Sequence, residues 1–398
     1  MRAKLKQIVS DPRYITGLYV LVAILISVQA LLLGGKRYEE AGKEYNRYNN
    51  YTIFERSFYH LKNNQDLYVY YPEEHWDIYK YTPTFSVFFG LFAVFPDWLG
   101  LPFWNLFNAV PLLVGIYYLP KLNNFEKGLV AIIILQELIT SIQNEQANGL
   151  IAGLLILAFA LMERKKYAWA TLCIVSSAFI KLFGIVGVAL YLLYPNKRHT
   201  LVYTMLWVAL MAVVPLVLIS YEQYVYLLEN YLVLLSDDHS ASYGYSVMGW
   251  LYTWFMIGIN KMAVVLIGAA IFMVPFMKIQ WYTYYGFRYL VIVSILIWVV
   301  IFNHKAESPT FIIAMAGVAM WFVVSEKNAI NIALFTFAFV FTTLSPTDIF
   351  PQFLREQLVT PYVLKGVPCI FVWIKVIYDM LSKHKVSYLT NRYIASFE

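Results

Sequence analysis

Charge is scarce in this chain. Asp, Glu, Lys and Arg make up only 14 % of its 398 residues, against roughly a quarter in an ordinary soluble domain. That scarcity excludes a soluble fold of conventional composition. There are two cysteines, Cys173 and Cys369, each inside an apolar run. Both read as packing residues, and no Cys/His cluster has metal-ligand spacing. Walker loops, G-x-G-x-x-G and H-E-x-x-H patterns are also missing. Soluble nucleotide-sugar chemistry is therefore not signalled, and neither a cofactor, a metal nor a nucleic-acid partner is expected. Internal repeats and low-complexity tracts are absent.

What is present is hydrophobic sequence, 60 % of all residues, with a mean hydropathy of +0.60. Apolar runs such as Ile15 to Leu33, Leu201 to Ser220 and Tyr289 to Phe302 approach the roughly 20 helical residues that cross a bilayer. They are continuous rather than alternating, which favours helices over strands. Full spans are expected near 15–34, 129–142, 148–162, 201–220, 262–277, 289–302, 309–324, 329–345 and 361–381. The stretch 168–194, with Lys181 near its middle, reads as a helical hairpin. The stretch 84–119 is broken by PDWLG and is expected to cross once, with one piece re-entrant or interfacial. The aromatic segment Tyr243 to Ile257 is expected along the interface, where Trp and Tyr are favoured. The expected fold is all-α: one polytopic membrane domain over 1–398 with about 12 spans and a large loop, 36–83, after the first helix.

Lys and Arg cluster in short segments: 2–13, 121–127, 164–166, 197–198, 278–288, 327 and 383–392. The positive-inside rule places these in the cytoplasm, with the intervening loops outside an inner cell membrane. The N-terminal run has basic flanks and a long apolar core, so it reads as an uncleaved first helix rather than a signal peptide.

The polar groups then fall on the outer side. The loop YYPEEHWDIYKYTPTF at 70–85 mixes Glu73, Glu74, His75, Asp77 and Lys80 with aromatic rings. Glu55 and Asp66 precede it, and Tyr81 follows within it. QNEQAN supplies Gln143, Asn144, Gln146 and Asn148; FNHKAESPT supplies His304, Lys305 and Glu307; the hairpin tip supplies Lys181. Asp237, Asp238 and His239 read as a solvated loop. An intramembrane charge costs several kcal/mol and tends to face a cavity or partner. Singly, each of these residues also has an ordinary reading as helix-end polarity or a snorkelling lysine. Convergence on one face is what suggests a phosphate-holding, hydroxyl-deprotonating site.

Several segments resemble glycosyltransferase family 87. NQDLY (64–68), YKYTP (79–83) and VFPDWLG (94–100) are similar to that family's first outer loop and Leu-Pro break, QNEQANGLIAGLLILAFAL to its Gln-rich turn and following helix, and SAFIKLFGIVGVAL to its Lys-containing hairpin. The resemblance implies an integral-membrane GT-C fold whose loop carries short interfacial helices. It also implies transfer of a sugar, typically mannose, from a polyprenyl-phosphate donor to a lipid or glycan acceptor. The family's acidic residue at the start of the loop aligns with Asn49 or Asn50, and an amide cannot act as a base. Glu55, one helical turn on, is then the first catalytic candidate, followed by Asp77 and Asp66. Asn50, Tyr81, Gln143, Asn144, Asn148, His75, Lys181, His304, Lys305 and Glu307 are candidates for substrate binding. A lipid-linked glycan polymerase or ligase, and a transporter or flippase, are the rival readings; the latter is expected to show paired repeats with midplane polar groups.

Overall fold

A computed structural model describes residues 2–38, 42–237, 243–258 and 260–392. Asp238 and His239 lie outside the described residues. Among the described residues the regular structure is helical apart from one hairpin, β1 (Gly35–Tyr38) and β2 (Lys43–Asn46), paired antiparallel with Gly35 opposite Asn46. The helices preceding it are α1 (Arg2–Ser10) and α2 (Pro12–Leu32). Asp11 starts α2 by accepting a hydrogen bond from the Arg13 amide at 2.9 Å, with Pro12 at the first helical position, where its missing N–H costs nothing.

After the hairpin come α3 (Asn49–Lys62), α4 (Pro83–Ala93), α5 (Asp97–Tyr117), α6 (Asn124–Gln143), α7 (Asn148–Glu163) and α8 (Tyr167–Ile180). Asn123 and Glu126 close a reciprocal cap on α6, each side chain taking the other's amide at 3.0 Å. α9 (Lys197–Val213), α10 (Tyr221–Asp237), α11 (Val247–Phe255), α12 (Lys261–Met273), α13 (Tyr285–Ile301), α14 (Phe311–Val324), α15 (Ala329–Ala338), the single turn α16 (Gln352–Leu354), α17 (Val367–Leu381) and α18 (Lys383–Arg392) follow.

Among the described residues, three helical stretches are long and apolar enough to cross a membrane by length and composition: Pro12–Leu32, Asp97–Tyr117 and Lys197–Val217. Eight shorter apolar stretches of 10–17 residues accompany them. Length and composition alone therefore do not confirm the expected dozen spans. The apolar helices still suit a membrane protein. α13 and α14 are buried on almost every side, as a helix apolar all round must be. α2, α9 and α12 turn Leu25, Leu206, Leu210 and Leu266 outward, a distribution that suits hydrocarbon rather than water.

The hairpin expected at 168–194 is present. Lys181 breaks the helix with extended backbone (φ −134°, ψ 127°). The 3₁₀ segment Leu182–Leu193 then folds back along α8. Two glycines permit the approach: a Cβ on Gly184 would lie 2.5 Å from the Ser177 carbonyl carbon, and one on Gly187 would crowd Ile174. The stretch 84–119 resolves as well. Both ends of the short α4 stay at one level, Thr82 bonded to the Phe179 carbonyl and the Phe92 carbonyl accepting from Tyr51 of α3 at 3.4 Å. α5 alone then runs to the far end, where the Tyr117 carbonyl accepts from Lys127 at 2.8 Å.

The molecule thus has two ends. One collects the basic segments: Arg288 holds Glu163 bidentately at 2.5 and 2.9 Å, and Lys385 pairs with Glu326. The opposite end carries the β-hairpin, α3, the α6–α7 turn, the Lys181 tip and the turn 303–307. Between them, Lys365 and Glu137 form an enclosed ion pair at 2.8 Å, 2 % and 0 % exposed, with the lysine also donating to the Thr342 carbonyl at 2.8 Å.

Candidate functional site

A cavity of about 790 Å³ opens at the end away from the basic segments. Five separate stretches of chain, with Tyr38 of β1 beside them, build its polar part. α3 turns Asn50, Ile53 and Phe54 toward it; the following loop adds Asp77, Lys80 and Tyr81; the α6–α7 turn adds Asn144 and Gln146; the hairpin tip adds Lys181; the turn after α13 adds His304, Lys305 and Glu307. A second, apolar limb runs on between Leu182, Ile185, Leu235, Val265, Trp298 and Phe302. The site is therefore amphipathic along its length, cationic at one end and hydrocarbon-like at the other.

Lys181 is the centre of the polar part. Its ammonium donates to Gln146 Oε1 and Asn148 Oδ1, each at 3.2 Å, and lies 5.3 Å from the Tyr81 ring centroid. Gln146 in turn donates to Glu307 at 3.0 Å. Removal from water pushes the Lys181 pKa down to about 8, against the opposing pull of the Glu307 carboxylate. Among the described residues its hydrogen-bond acceptors are the amide oxygens of Gln146 and Asn148, so a phosphate oxygen would find it poorly neutralised.

Most of the sequence candidates meet here, and some do not. Asn148 reaches the site through Lys181 without lining the cavity. Gln143 lines a smaller neighbouring pocket. His75 is buried beneath the loop, its Nδ1 3.0 Å from the Asp77 carbonyl. It supports the Asp77 turn, whose φ of 79° is left-handed; burial lowers the His75 pKa. Asp66 is remote: it accepts from Tyr226 at 3.0 Å and Asn230 at 2.7 Å, both on α10. Glu55 does not face the cavity either. Five helical residues past Asn50 is a rotation of about 140°, which sends it to the α5 side. Burial first, and then the Asp97 carboxylate, push its pKa up to about 7. Asp97 itself accepts from Tyr48 at 2.9 Å.

Asp77 does line the cavity, but its carboxylate is engaged by Lys80 at 2.9 and 3.0 Å and by the Ile78 amide at 2.7 Å. Asn49 and Asn50, standing where a carboxylate is expected, are scaffold groups. Asn49 exchanges hydrogen bonds with the Trp76 backbone at 2.6 and 2.9 Å, and Asn50 donates to the Asn144 carbonyl at 2.8 Å. Sequence reasoning missed Glu145. It is the one acid inside QNEQAN, 1 % exposed, held at a φ of 47° in the α6–α7 turn.

No curated protein matches the chain. The profile of glycosyltransferase family 87 matches residues 79–346, more than half of it. The matched region takes in the α6–α7 turn, the Lys181 hairpin and the turn 303–307, which are the pieces that surround the ammonium. With that coverage, the chain belongs to glycosyltransferase family 87.

Proposed function

We propose that this glycosyltransferase takes its sugar from a polyprenyl-phosphate donor of the GT-C type and passes it, as a hexose such as mannose, to a lipid or glycan acceptor at the outer face of a cell membrane. The observation that carries the reading is the single cavity in which a desolvated ammonium and an apolar limb are continuous. A soluble nucleotide sugar has no use for the limb. A phosphate ester of a long isoprenoid uses both parts at once.

In this reading the tail lies against Ile185, Leu235, Val265 and Phe302, and the phosphate sits on Lys181, with His304 and Lys305 beside it. As the glycosidic bond breaks, its electron pair goes to the phosphate oxygen. A cation already fixed in a low-dielectric site stabilises that charge without reorganising. Glu307 and Gln146 hold the lysine in place. Tyr81 offers the ring face that a pyranose needs, and the Asp77–Lys80 pair lines the cavity beside it. Direct displacement by the acceptor hydroxyl inverts the anomeric centre.

The test is transfer from polyprenyl-phosphate mannose to n-octyl α-mannoside by purified, reconstituted protein. Product of inverted configuration is expected, strongly reduced by Lys181→Ala. Absence of product from the intact protein, or full activity of Lys181→Ala, contradicts the reading.

A further inference from the structure

Beside the main cavity lies a second, smaller and more polar pocket of about 270 Å³, near the low end of the roughly 300–1,000 Å³ typical of small-molecule sites. Lys36, Arg47, Gln29 and Gln143 contribute to its wall, and Glu145 forms part of it. Tyr38, Asn49, Asn50 and Asn144 line both spaces, so the two adjoin along these residues, a partition only in the sense of a shared edge.

Glu145 is unusual within that wall. Its Oε1 is buried and has no hydrogen-bond partner among the described residues. The Asn50 backbone amide donates to the carboxyl group, and the Trp104 indole pins the Glu145 backbone carbonyl at 2.6 Å. The side chain is therefore positioned and half satisfied. An unsatisfied buried carboxyl oxygen is costly, and a hydroxyl arriving from the pocket would satisfy it. The charged or titratable groups around it are Lys36 and Tyr38 from β1 and Arg47 from the turn before α3, and its charge is felt at the Tyr38 phenol on the partition. Every other acid at the site is committed: Asp77 to Lys80, and Glu307 to Gln146 and the Lys181 charge.

We infer that the small pocket is the acceptor subsite, taking a sugar or polyol headgroup, and that Glu145 is the general base of the transfer. The inference rests on the glycosyl-transfer reading above and adds the acceptor and the base to it. The acceptor O–H gives its proton to Glu145 Oε1 while its oxygen bonds to the anomeric carbon. The anomeric C–O bond to phosphate breaks, and the pair departs onto the phosphate held by Lys181. Glu145 later returns the proton to water. Desolvation raises the proton affinity of this carboxyl, which strengthens it as a base once ionised. The amides at 49 and 50 then have a purpose: they do not replace a lost base but carry the partition on which a relocated one sits.

The experiment uses the reconstituted full chain with polyprenyl-phosphate mannose and n-octyl α-mannoside. Glu145→Gln is expected to bind donor as the parent does and to lose about 100-fold or more in kcat for transfer, the usual contribution of a positioned base. Lys36→Ala and Arg47→Ala are expected to raise the acceptor KM several-fold and leave the donor KM unchanged. If Glu145→Gln fails to fold, Ala30→Trp fills the pocket from α2 and is expected to raise the acceptor KM at least tenfold with donor binding intact. No transfer by the parent protein overturns the glycosyl-transfer reading itself. Transfer by the parent with comparable kcat in Glu145→Gln, or an unchanged acceptor KM in Ala30→Trp, overturns only the base and the subsite.

Discussion

Lys181→Met should separate stability from function in opposite directions. In the folded protein the Lys181 pKa lies near 8 rather than the usual 10.5, because burial disfavours its charge. That difference corresponds to about 3 kcal/mol of destabilisation at neutral pH, at 1.36 kcal/mol per unit. The sign follows from linkage: below pH 8 the lysine is charged in both states and the full cost is present, and the cost lifts as the pH climbs from 8 toward 10.5. Methionine removes the charge and keeps the length. It also forfeits the bonds to Gln146 and Asn148, about 1 kcal/mol each, so the net gain is about 1 kcal/mol. Thermal melting in detergent at pH 7 should therefore rise by about 2 °C, and the advantage should vanish above pH 10. Transfer should meanwhile fall by about 10²–10³, the cost of losing one donor to a developing oxyanion. A variant that melts well below the parent and loses activity together would show that the lysine is part of the scaffold. One that transfers normally would remove the phosphate from this end of the cavity.

The remaining predictions concern pH, the enclosed ion pair and helix contact. kcat/KM for the free enzyme should decline as the pH rises through about 8, because the ammonium form is the active one; Lys181→Arg, if it folds, should abolish that limb, as a pH–rate profile would reveal. Lys365→Met should cost about 3–5 kcal/mol by stranding Glu137, and Glu137→Met combined with Lys365→Met should recover most of it in melting experiments. Gly153→Ala should lower stability by about 1–3 kcal/mol, since its new Cβ would meet the Pro111 carbonyl of α5 at 2.6 Å; a melting point matching the parent's would show that α5 and α7 separate freely.

The sequence discloses helices more readily than it discloses meetings between them. Apolar runs mark many of the long helices, because burial and hydrocarbon both demand them, but not α3 or α10, whose sequences are more polar. The Lys181 hairpin was legible for the same reason: 27 residues of 168–194 with a central cation leave few other arrangements. The β-hairpin was not legible. GKRY and KEYN are polar and short, and their pairing depends on a turn with Gly42 at positive φ. At the site, the sequence points to cations and amides that do line one cavity, while it gives no angular placement around a helix. Glu55 is near Asn50 along the chain, yet rotation around the helix turns it away from the cavity. Glu145 was hidden by its neighbours: four amides make QNEQAN look like ordinary helix-end polarity. The Glu137–Lys365 pair spans 228 positions, and no local pattern joins two such distant residues.

Asp66 has a further consequence. Its grip on Tyr226 and Asn230 fastens α10 to the loop, and α10 presents Tyr231 and Leu235 to the apolar limb. The width of that limb is thus governed from a carboxylate that does not line it. If the proposed donor is correct, loosening that clasp should change which isoprenoid chain lengths are accepted while leaving the polar end of the cavity where it is.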